Sequence, residues 1–138
     1  MNANDLIREW FLHSYNNLIT ARHVIEDMHP KQIDISCYLS QQCAETALKG
    51  YLQYKGIEPD KIHNLLVLCQ SCLEHDNSFS TITNSCSDLN RYSNATRYPN
   101  ELETDETAAK VAIERAKSIY DFCFEKVSAD KINVVDGE

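Results

Sequence analysis

Glycine and proline are scarce, with three of each in 138 residues. So few breaks disfavour a fold of many short strands and tight turns, and favour long helices. No apolar run approaches the roughly 20 residues of a membrane-spanning helix. The N-terminus, MNANDLIREW, has no basic stretch followed by an apolar one, so no secretory signal is expected. An excess of basic residues is missing too: 13 Lys and Arg stand against 21 Asp and Glu, for a net charge of -8. Such a surface repels phosphate backbones at long range, which excludes non-specific DNA binding while leaving room for one local cationic pocket. Alternating apolar runs, internal repeats and low-complexity linkers are absent. So are a glycine-rich phosphate loop, a serine or cysteine triad and paired glycosidase carboxylates. Six cysteines without a signal read as reduced cytoplasmic thiols, not as a disulfide framework.

What remains is helical periodicity. Asn4 or Asp5 caps a first helix running to about Met28, with a stripe of Leu6, Trp10, Leu18, Ala21 and Ile25. The His29-Pro30 pair ends it. A second helix starts near Gln32–Asp34 and stops before Gly56, with Cys37, Ala44, Ala47, Leu48 and Tyr51 on one face. A short helix spans about His63 to Leu73. A fourth begins around Asp76–Ser80 and runs to about Arg97, stopped by Pro99, with Phe79, Ile82, Cys86 and Leu89 as its stripe. Thr104 caps the last helix, whose Ala108, Ala112, Ala116, Ile119, Phe122, Cys123 and Val127 lead to Ser128. The expectation is one all-α domain over residues 1–128, an antiparallel up-and-down four-helix bundle with one additional short helix, followed by a disordered tail at 129–138.

Four fragments occur in a fixed order: the WFLHSYNNLITA beginning at Trp10, YLSQQCAETALKGYLQYKG (Tyr38 to Gly56), HNLLVL (His63 to Leu68) and TRYPNE (Thr96 to Glu101). Together they resemble the HEPN domain. That resemblance implies a helical bundle that usually dimerises. It also implies one of three roles: nucleotide binding, partnership with a minimal nucleotidyltransferase in a toxin–antitoxin pair, or metal-independent RNA cleavage. The cleaving branch carries Arg, four to six residues, then His. Here the positions after Arg91 are Thr96, Arg97 and Tyr98, so the imidazole is missing. An Arg8-x4-His13 spacing falls on the wrong helix. The leading expectation is therefore a non-catalytic binding module needing no cofactor; a ribonuclease with a degenerate site and a purely structural protein are the alternatives.

Candidate residues follow from chemistry and from the resemblance. Arg91 and Arg97 suit bidentate bonds to phosphate, and Tyr98 can stack on a base. On one helix, Arg91, Asn94 and Tyr98 would share a face, with Arg97 nearer the core. Arg97 equally suits a structural pair with Glu45 or Glu101. Gln42, Glu45 and Lys49 lie off the core stripe of the second helix; Tyr38 joins them, and Leu39 and Gly50 hold another flank. Tyr38, Leu39 and Glu45 are read as a dimer interface or groove rim. Gln42, Lys49 and His63 are candidates for lining the nucleotide pocket. His63, Cys69, Cys72 and His75 have zinc-ligand identities, but one amphipathic helix is not a zinc knuckle, and no metal is expected.

Overall fold

The computed structural model describes residues 2–94 and 104–129, and these contain helices and connections only. The elements are α1 (Ala3–Glu26), α2 (Ile33–Tyr54), α3 (Leu65–Leu73), a 3-10 turn (Asn77–Ile82) leading into α4 (Thr83–Asn90), and α5 (Glu106–Ser128). The all-α bundle of four main helices and one short one is as expected.

Cross-contacts fix the directions. Ser14 Oγ donates to the Cys43 carbonyl and Ser36 Oγ to that of Ala21, so α1 and α2 are antiparallel. Phe11 meets Phe124, Tyr15 meets Tyr120, and Lys31 reaches Glu106, so α5 also opposes α1. Arg115 pairs with Asp88 and Lys126 with Asp76, so α4 opposes α5. α3 runs beside α2 in the same direction, with its Cys72 thiol on the Leu48 carbonyl. To allow this, the connection after α2 must return along the bundle. Gly56, at φ 78, makes the reversal, and the Ile57 amide bonds back to the Leu52 carbonyl.

α2 is the central helix. Its buried residues include polar Ser36, Ser40, Gln41, Glu45 and Lys49 beside the expected Cys37, Ala44, Ala47, Leu48 and Tyr51. Gly50 belongs inside as well: a Cβ there would sit 2.7 Å from a Phe11 ring carbon. The Gly50 flank, expected to face a partner, is thus covered by α1 of the same chain. Tyr51, Phe79 and Phe122 form an aromatic chain joining α2, the 3-10 turn and α5.

Several boundaries differ from expectation. α1 is capped by Asn2, whose side chain accepts from the Asp5 amide while the Asp5 carboxylate accepts from the Asn2 amide. Its buried stripe is Ile7, Phe11, Ser14, Leu18, Ala21, Val24 and Ile25, leaving Leu6 exposed and Trp10 half-buried. α5 is capped by Asp105, because Thr104 donates to Asp34 instead. α4 ends at Asn90, well short of Arg97. Arg91 and Asn94 therefore do not share a helical face. Arg97, Tyr98, Pro99 and Glu101 lie outside the described residues, as does 130–138 of the expected tail.

Candidate functional site

Position 45 gathers the densest polar group of the described residues. Glu45 is buried on α2, one turn from Gln41 and one from Lys49, so all three project to one side of the helix. Lys49 Nζ lies 2.9 Å from Glu45 Oε2. Gln42 Nε2 donates to Gln41 Oε1 at 2.7 Å and reaches Glu45 Oε1 at 3.3 Å. Gln41 Nε2 donates to the His63 carbonyl at 2.9 Å, which ties the returning segment to α2. His63 Nδ1 then sits 3.1 Å from both Glu45 oxygens. A carboxylate only accepts, so Nδ1 carries the proton and Nε2 is left as an acceptor. The His63 side chain is 67% exposed against 5% for Glu45, so the ring roofs the carboxylate from solvent.

From α1, Trp10 lies beside this group. Lys49 Nζ is 5.9 Å from the centre of its ring, and the indole N–H points to Gln53 Oε1 at 3.5 Å. The charges inside the group cancel: one carboxylate, one ammonium and an imidazole already oriented by the carboxylate. Lys49 is therefore not a free cation waiting for phosphate. Gln42, Glu45, Lys49 and His63 do come together as one surface. Gln41 and Trp10 belong to it without having been singled out from sequence, although Gln41 at i−4 from Glu45 was a readable signal.

Arg91 belongs elsewhere. It caps the C-terminal end of α4 and lies over the Tyr92 ring, 4.9 Å from its centre. Tyr92 is buried, and burial raises its phenol above the ordinary range, with the neighbouring Cys37 adding to the rise and Arg91 opposing it. Arg91, Asp88 and Arg115 line a cleft of about 250 Å³ between α4 and α5. The two regions adjoin through Asn90, which accepts from the Leu65 amide and donates to Asn64 Oδ1 at the start of α3.

The remaining residues weighed from the sequence lie as follows. Cys69 and Cys72 are buried, with their thiols on the Phe79 and Leu48 carbonyls, while His63 and His75 are exposed. Among the described residues no three His, Cys, Asp or Glu side chains gather as a metal site. Arg8 is paired with Asp5, and His13 stands 3.8 Å from Glu9 on an exposed face. Tyr38 and Leu39 are half-buried, and Ile35, one turn before Leu39, is 48% exposed. No described helix is long and apolar enough to cross a membrane.

Comparison with known proteins gives this architecture a family. TT1696 from Thermus thermophilus is 25% identical, with a TM-score of 0.76 over 87% of this chain and 97% of its own. ST0689, described as an archaeal HEPN homologue, is also 25% identical, with a TM-score of 0.70 over 88% of this chain and 97% of its own. No curated protein matches. The HEPN domain model matches residues 7–127, from the first buried turn of α1 to the last of α5, and the chain belongs to the HEPN family.

Proposed function

We propose that this chain is a non-catalytic, cytoplasmic HEPN binding module of residues 1–128. Its working surface is the outer face of α2 with the start of α3, and its occupant is a protein surface, first of all a second copy of the chain. The observation that carries this is a polar centre of cancelled charge beside exposed apolar side chains. Ile35 stands on α2, and Leu66 and Val67 are 39% and 47% exposed on the first turn of α3, just past His63. A desolvated, internally satisfied centre with apolar neighbours suits a protein interface better than a polyanion. A nucleotidyltransferase partner of the toxin–antitoxin kind, which the family resemblance suggests, would use the same face.

A nucleotide is the second reading. It is favoured by the exposed His63 ring and by the Trp10 ring next to Lys49, which offer a hydrogen bond and a stacking plane. RNA cleavage is not proposed, because positions 96 to 98 hold Thr, Arg and Tyr where the catalytic His would stand. Sedimentation equilibrium tests the main reading: the wild type is expected at twice the 15.8 kDa chain mass, and Ile35→Asp with Val67→Asp at the single mass. A monomeric wild type would refute self-association. Titration calorimetry with ATP and GTP tests the second reading, and heat that vanishes in His63→Ala would favour it.

A further inference from the structure

The cleft between α4 and α5 is distinct from the Glu45 group and differs in charge from two larger clefts of the described residues. We infer that it is a binding site for a small oxyanion, a carboxylate or phosphate monoester, that carries an apolar group. Among the described residues its charged lining is two guanidiniums, Arg91 and Arg115, against one carboxylate, Asp88. Arg115 Nε is held 3.2 Å from Asp88 Oδ2, which anchors the guanidinium while both Nη groups remain for a ligand. Arg91 is fixed by stacking on Tyr92, and no described carboxylate lies within ion-pair reach of it. In a chain of net charge -8, this is a local reversal of sign. Planar guanidiniums give bidentate bonds to carboxylate or phosphate oxygens.

The remaining wall is apolar. Leu89 and Ala112 are buried beneath it, and Val111, 42% exposed, forms a side. The volume, about 250 Å³, falls below the range of about 300–1,000 Å³ typical of sites for drug-sized ligands, so the ligand is a compact one. Two larger clefts lack the charge surplus. One, of about 430 Å³, balances Arg22 and Lys110 against Glu26 and Glu114. The other, of about 380 Å³, contains Lys126, already paired with Asp76 and opposed by Glu125.

The test is an amide-resolved NMR titration of the full chain with benzoate, phenyl phosphate and the uncharged analogue benzamide. Benzoate or phenyl phosphate is expected to shift amides within 88–92 and 108–115, and the stronger of the two identifies the oxyanion. Arg91→Gln and Arg115→Gln should each weaken that binding roughly tenfold, the worth of one lost charge-assisted pair. Ala108→Leu should abolish it by filling the cleft, with the spectrum itself reporting that each variant is folded. The inference is overturned if neither anion shifts these amides at about 10 mM, roughly tenfold above a millimolar Kd. It is equally overturned if benzamide shifts them as strongly, or if the arginine variants bind unchanged.

Discussion

Two polar regions, one on α2 and one between α4 and α5, differ in what they do with charge. Around Glu45 every charge is used: the carboxylate meets Lys49, His63 and two glutamines, and burial encloses it. Between α4 and α5, among the described residues, two guanidiniums face one carboxylate, and the side chains that carry charge stand open to solvent. A closed circuit of charges contributes to specificity and to the position of neighbouring elements. An open surplus is what attracts a ligand. Residue type alone would have ranked Lys49 beside Arg91 as a phosphate contact; burial and partners separate them.

The largest expected effect falls on the closed group. Glu45→Gln leaves the Lys49 ammonium buried without its partner, and should cost about 3–5 kcal/mol in urea unfolding. Adding Lys49→Met to Glu45→Gln should recover most of the loss, because a matched removal leaves no orphaned charge. If Glu45→Gln alone costs less than about 1 kcal/mol, the scale of a surface pair, then the group is solvated and the contrast fails.

The Asp76–Lys126 pair gives an intermediate case. Bonds from Ser78, then the 2.9 Å contact with Lys126, hold the Asp76 carboxyl down at about 2, below its ordinary value of 3.8. A depressed carboxylate stabilises the fold fully above its unfolded value, and that stabilisation fades as pH falls through the folded one. Thermal melts of wild type and Asp76→Asn should therefore differ at pH 7 and converge as pH falls from 3.8 through about 2. The smallest effect belongs to the open cleft: Arg91→Gln and Arg115→Gln should each change stability by no more than about 0.5 kcal/mol, as surface substitutions do. A larger loss on urea unfolding would make these arginines structural props.

The helical stripes were legible because they rest on local periodicity. Phe79, Ile82, Cys86 and Leu89 are all buried, as are Ala112, Ala116, Ile119, Cys123 and Val127. The family was legible in the order of four fragments. What was not legible is set by tertiary contacts. α4 looked free to continue to about Arg97, yet Asn90 turns its side chain to the start of α3 and Tyr92 is drawn into the core. Gln42, Glu45 and Lys49 looked like a flank of α2; nothing local reveals that a returning segment brings His63 over Glu45. Arg115 drew no notice, because its meaning depends on which helix faces it.

The central claim, that the α2–α3 face receives a second copy, is tested most directly by isotope-filtered NOE spectra on an equal mixture of labelled and unlabelled chains. The account predicts intermolecular contacts from the methyl groups of Ile35, Leu39, Leu66 and Val67, and none from Val111 in the α4–α5 cleft. Intermolecular contacts confined to Val111 and its neighbours, or none at all, would contradict it.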